Sequence, residues 1–319
     1  MKHPRLKVAS GAYYHLVSRC CLKQFLFQDT EKEVFVAMMR RVAAFAGIEI
    51  LTHCVMSNHF HILVRVPKPR PISESELLAR VAILYGNARA KEMRDRWTTY
   101  RKSSLQAMLD KEQTQLRRRM GDISEFMHDL KLRFSCWYRA NHSDHEGTIW
   151  QSCFGSTLVE GNGSLAAVAA YIDLNPVRAG LVTDPKDYPY SGFGAALAGD
   201  SDAAQGLAAV YGNITRDMNK ILTAYRGLLY AKVPSTLDSA PPDKKSPLPL
   251  LLRSKIRAMT KGLAIGSREF TADIFTTHRN VFSQNRKHPP RGTPLCPAWD
   301  GIQLCSVRHL RQLPKSSLA

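Results

Sequence analysis

The sequence predicts an α+β fold: a ferredoxin-like (RRM-like) antiparallel sheet with helices on one face, a helical insertion and a basic C-terminal extension. Three observations predict it. The segment from Tyr13 to Val66 reads strand, helix, strand, turn, strand, the first half of a split βαβ sheet. The second and third of these strands are separated only by Ser57-Asn58, which forces antiparallel pairing. A hydrophobic fraction of 44% over 319 residues supports a sizeable core, and strand-like composition returns at Thr148–Glu160 to complete the sheet.

The elements follow in order. Along Tyr13–Cys20 alternation places Tyr13, His15, Val17 and Arg19 on one face. Thr30 with Glu33 forms a capping box for a helix in which Val34, Phe35, Met38, Val42 and Phe45 recur at helical spacing, and Gly47 stops it. Ile48–Met56 is a second strand, rich in Ile, Leu, Val and Thr, and His59–Val66 is a third that Pro67 closes. Ser73 and Glu76 cap a helix that the pattern continues to Trp97. Residues 89–139 hold 13 basic and 7 acidic side chains and read as a helical, solvent-rich insertion. Gly161-Asn162-Gly163 is a turn, and Ser164 caps a helix over Leu165–Leu174 that Pro176 ends. Residues 215–230 are amphipathic, with Met218, Ile221, Leu222, Tyr225 and Leu229 on one side.

Composition narrows the function. The formal net charge is +18, and a protein this basic meets a polyanion, nucleic acid first. From Lys244 onward 14 Lys or Arg face 3 Asp or Glu, more than half of the excess. Val233–Pro249 contains five prolines and reads as a linker. The organisation expected is therefore a catalytic domain over 1–200 with its insertion at about 73–146, accessory helices at 201–232, the linker at 233–249, and a basic DNA-binding module at 250–319. Seven cysteines without a CxxC pair argue against a disulfide framework or a cysteine-rich zinc site. No apolar run is long enough to span a bilayer and no signal-peptide region follows Met1, so the cytoplasm, at the nucleoid, is the location expected.

Two constellations carry chemistry. In His59-Phe60-His61, both imidazoles project from one face of a strand, near enough to share a divalent metal, while Phe60, Ile62, Val64 and Val66 point into the core. The alternative is a pair of structural histidines. Tyr171 and Asn175 lie four apart on the Ser164 helix and share a face, beside a core stripe of Leu165, Val168, Ala169 and Ile172. The alternative there is a tyrosine that packs its ring and bonds its hydroxyl locally. Taken together they make one site. A phenol with an ordinary pKa near 10 needs help to attack a phosphodiester, and a metal held by two imidazoles and an amide oxygen keeps positions open for the phosphate. Mg²⁺ or Mn²⁺ suits that task better than a closed zinc site.

The segments His53–Val64, Tyr171–Val182 and Asp187–Ser191, together with Tyr13-Tyr14-His15 and Trp150, resemble the signature blocks of the REP-associated tyrosine transposases. These are relatives of the small single-tyrosine HUH transposases of insertion sequences. The resemblance covers roughly residues 8–200, and more loosely Gly262–Phe270. It implies that His59 and His61 bind the metal, that Asn175 completes its shell, and that Tyr171 is the nucleophile. It implies cleavage and rejoining of single-stranded DNA at hairpin-forming repeats, through a 5′-phosphotyrosine and a free 3′-OH, without ATP. Two positions depart from the pattern: Cys153 stands where Arg is frequent, and Gly155 where a basic residue is common.

Arg178 is placed to touch a DNA phosphate, Arg117-Arg118-Arg119 form a basic run, and His142 with His145 sit in a glycine-containing loop. Trp97, Trp137 and Trp150 could stack on bases or pack. Asn58 shapes the turn that presents His59. The rival readings are a HUH relaxase or replication initiator, a domesticated DNA-hairpin binder that does not cut, and an RNA-binding sheet, which would show aromatics where this strand shows His59 and His61. Monomer and homodimer are both left open.

Overall fold

Strands β1 (Ala12–Arg19), β2 (Glu49–Met56) and β3 (His59–Val66) lie where alternation places them. The computed structural model describes residues 6, 8, 11–161, 163–211, 217–230, 259, 262–279, 282 and 304–307. The linker at 233–249 and most of 250–319 lie outside the described residues. β3 is central and pairs antiparallel with both neighbours, Met56 opposite His59 in the hairpin and Arg19 opposite His59 across to β1.

Helix α1 (Asp29–Ala46) joins β1 to β2. Its capping box is Gln28 with Glu31, not Thr30 with Glu33: the Gln28 backbone N–H donates to Glu31 Oε2 at 2.9 Å. The fully buried Phe27, packed on Phe35 and Phe134 at ring distances of 5.3 and 4.9 Å, anchors the chain in the core one residue earlier. The helix therefore begins sooner than the Thr-x-x-Glu pattern indicates. The insertion is helical as expected: α2 (Glu74–Tyr85), α3 (Asn87–Lys102), α4 (Gln106–Arg117) and α5 (Ile123–Asn141). The single helix expected to run from Ser73 to Trp97 is broken at Gly86, whose φ of 90° suits glycine and ends the helical geometry.

β4 (Gly155–Val159) pairs antiparallel with the free edge of β1, giving the order β2-β3-β1-β4 of a ferredoxin-like sheet. Phe60, Ile62 and Val64 enter the core under α1, α2 and α5, as alternation requires. The opposite face is covered too. Helices α6 (Gly163–Asp173), α8 (Gly192–Leu197), α9 (Ser201–Tyr211) and α10 (Met218–Leu229) pack over Leu51, Cys54, Met56 and Leu63. The histidine face is thus the floor of a second core rather than an open surface. The cause is legible afterwards: α6 is Gly-Ser-Leu-Ala-Ala-Val-Ala-Ala-Tyr-Ile-Asp, apolar nearly all round, and such a helix must be buried on every side.

The described part of the C-terminal region extends the same sheet. β5 (Ala264–Gly266) runs parallel to β4, and β6 (Cys305–Val307) pairs antiparallel with β5, with α11 (Arg268–Thr277) between them. Glu160 receives Ser267 Oγ at 2.9 Å, and Thr157 Oγ1 donates to the Gly262 carbonyl at 2.8 Å. The compositional boundary at 233–249 is therefore not a boundary of the sheet. Among the described residues Cys20, Cys21, Cys54, Cys136, Cys153 and Cys305 are free thiols. No described helix is long and apolar enough to cross a membrane.

α9 approaches β2 so closely that a Cβ on Gly206 would lie 2.5 Å from the Leu51 carbonyl oxygen and 2.6 Å from that of Ile50. Alanine in a helix interior ordinarily gains about 1 kcal/mol over glycine. Here backbone atoms block it, so Gly206→Ala is expected to lose about 1–3 kcal/mol instead. Urea titration of the two proteins decides the sign.

Candidate metal and tyrosine site

The β2–β3 hairpin delivers His59 and His61 to one face with ring centroids 5.1 Å apart. Asn58 does more than turn the chain. Its Nδ2 donates to the Lys23 carbonyl at 3.3 Å, which aims its Oδ1 at His59 Nδ1, 2.7 Å away. A carboxamide oxygen only accepts, so His59 Nδ1 carries a proton.

A third histidine, not assigned to the site from sequence, joins the pair. His15 on β1 lies diagonally across from His61, their register partners being Leu63 and Val17. Its Nε2 is 2.9 Å from His61 Nδ1, and its Nδ1 is 2.7 Å from the Met259 carbonyl oxygen. Burial lowers the pKa of His15 to about 4 and that of His61 well below the ordinary value, so both rings are neutral at pH 7. The signal in the sequence was alternation itself: His15 shares its strand face with Arg19, which stands opposite His59.

α6 brings Tyr171 onto this group. Its ring meets His61 edge-on at 6.1 Å and His15 at 6.3 Å. It does not sit at the margin of a core stripe; it is 1% exposed, because the whole helix is buried. Burial raises the phenol above its ordinary value, while the Arg178 and Arg19 charges and a hydrogen bond from Arg178 pull it down. The Arg178 guanidinium lies 4.3 Å from the Tyr171 ring centroid. Expected as a phosphate contact, Arg178 is seated on the tyrosine.

Asn175 follows in the short helix α7 (Asn175–Arg178). Its Nδ2 donates to the Tyr171 and Ile172 carbonyls at 3.1 and 3.2 Å, satisfying acceptors that the end of α6 leaves open, and its Oδ1 accepts from Arg178 at 3.0 Å. That oxygen has a second lone pair for a cation. Among the described residues no group of three or more His, Cys, Asp or Glu is placed to hold a metal.

A second residue not singled out from sequence is Asp173, wholly buried two positions after Tyr171. It accepts from Thr52 Oγ1 at 3.0 Å, from the Phe193 N–H at 3.2 Å and from the Tyr225 hydroxyl, joining β2, α8 and α10 to α6. The block around Tyr188 and Ser191 has a structural role: Tyr188 donates to the Val55 carbonyl at 2.7 Å and Ser191 Oγ caps α8. His142 stacks on Tyr138 at 4.0 Å and meets Glu31 at 3.2 Å, and Trp97 is fully buried with its Nε1 on Glu112, so these two pack. Trp150 Nε1 donates to Ser135. Within the basic run, Arg119 pairs with Asp129 and lies over Phe45.

Residues 8–101 match the model of the family described as "Transposase IS200 like", and for that span the resemblance read in the sequence holds. The span includes His15, His59 and His61 and ends before Tyr171 and Asn175. A solved structure described as "Structure of the REP associates tyrosine transposase bound to a REP hairpin" is similar with a TM-score of 0.40 and 17% identity, over 62% of this chain and 86% of that one. No curated protein matches the chain in sequence.

Proposed function

We propose that this chain is a metal-dependent transposase that cleaves and rejoins single-stranded DNA at hairpin-forming repeats by tyrosine transesterification. The observation that supports the reading is the edge-on contact of the Tyr171 ring with His61, centroids 6.1 Å apart. The match to IS200-like transposases and the charge of +18 support it. Tyr171 Oη attacks the phosphorus, the bond from phosphorus to the 3′ oxygen breaks, the phenol loses its proton and the departing oxygen gains one as a 3′-OH. A second 3′-OH reverses the step on the phosphotyrosine, so no external energy source is needed. His59, His61 and Asn175 would hold Mg²⁺ or Mn²⁺, which when bound supplies neutralisation of charge on the scissile phosphate. Arg178 favours the phenolate by its charge and its hydrogen bond.

The test is covalent. Labelled hairpin-bearing single strands are incubated with the protein and Mn²⁺ and run on a denaturing gel. A DNA–protein adduct is expected, and its absence across a broad substrate panel, with binding intact, would favour the non-cutting hairpin binder. His61→Ala is expected to reduce the adduct at least about 100-fold and to weaken Mn²⁺ binding measured by calorimetry.

A further inference from the structure

Each hydrogen bond in the buried chain Met259–His15–His61 has only one place for its proton. The Met259 carbonyl accepts and cannot donate, so the 2.7 Å contact requires a proton on His15 Nδ1. A neutral imidazole holds one proton, which leaves His15 Nε2 as an acceptor. The 2.9 Å contact to His61 Nδ1 then requires the proton there. We infer that His15 is a positioning residue that locks His61 as the Nδ1–H tautomer, directing its remaining lone pair, on Nε2, to the metal. The inference rests on the metal reading of His59 and His61 and deepens it.

Three observations support the lock. His15 and His61 are 0% and 1% exposed, so water does not compete for either ring nitrogen in the chain. A His15 protonated on both nitrogens would donate to His61 Nδ1 and turn the His61 lone pair away from the site, whereas a His15 that donates to Met259 and accepts from His61 keeps each contact a hydrogen bond. Asn58 holds the neighbouring ring through the same nitrogen, its Oδ1 accepting from His59 Nδ1 at 2.7 Å. Partners of this kind fix ring orientation and raise the basicity of the ligating nitrogen. The carbonyl that starts the chain belongs to Met259, beyond the Pro-rich linker, so seating of the C-terminal segment and the state of the metal pair are linked.

The experiment uses the full chain labelled with ¹⁵N-histidine. Long-range ¹H–¹⁵N spectra of the metal-free protein near pH 7.5 are expected to show His15, His59 and His61 all protonated on Nδ1. A proton on His61 Nε2 overturns the inference. Mn²⁺ calorimetry supplies the second arm. His15→Met is expected to weaken binding about 10–100-fold. His15→Gln, whose amide oxygen occupies the place of Nε2 and still accepts from His61, is expected to recover most of that loss. Equal affinity for wild type and His15→Met would sink the proposal. Should His15→Met fail to fold, the wild-type tautomers decide. The expected tautomers without any DNA adduct would count against the transposase reading and leave this one standing.

Discussion

Tyr171→Phe is expected to abolish the covalent DNA adduct while leaving the fold in place. The substitution removes one oxygen. The ring contacts with His61, His15 and the Arg178 guanidinium do not depend on that oxygen and remain. The stability cost is that of one hydrogen bond, about 1 kcal/mol. The chemical cost is of another order, because without Oη no atom of this side chain can bond phosphorus. Loss of a nucleophile lowers turnover by more than about 10⁴-fold in enzymes that form covalent intermediates. The gel assay with labelled hairpin DNA measures this directly, and a melting curve confirms folding. An adduct that persists in Tyr171→Phe places the nucleophile elsewhere.

Asp173→Ala carries the largest expected effect on stability, about 3 kcal/mol or more, since the Phe193 N–H and the Thr52 and Tyr225 hydroxyls all lose their buried acceptor. The carboxyl also sets a pH dependence. Burial raises its pKa from 3.8 to about 7, against the pull of hydrogen bonds from Tyr225, Thr52 and the Phe193 and Gly192 backbone. Below 3.8 the folded and unfolded states both hold the proton. Between 3.8 and about 7 the unfolded chain ionises first, so stability falls as pH rises; above about 7 the contribution is flat. The slope approaches about 1.4 kcal/mol per pH unit in that window. His15 and His53, both lowered to about 4 by burial, act in the opposite sense, adding stability as pH rises to 6.5. The difference between wild type and Asp173→Asn, followed by urea titration from pH 4 to 8, cancels the histidines. Parallel profiles would show that Asp173 does not titrate in this range.

Much of the site was legible because it obeys short periods. Alternation on β3 separated His59 and His61 from Phe60 and Ile62 with no tertiary information, and the four-residue helical spacing paired Tyr171 with Asn175. What escaped were residues whose partners lie far along the chain. His15 meets His61 across 46 positions and Met259 across 244, and Asp173 meets Tyr225 across 52. Arg178 lies on the Tyr171 ring, a contact between side chains seven positions apart that spans the end of one helix and the next.

The sequence by itself determined the order of strands and helices, the two-sided β3, the basic character and the identity of the metal and tyrosine candidates, because each depends on neighbours within about one helical turn or one pleat. The tertiary structure alone decided that a second layer of helices closes the histidine face, that the C-terminal strands join the sheet, and that one buried carbonyl reaches His61 through His15. Those outcomes turn on which distant surfaces exclude water from each other, and local periodicity carries no information about that.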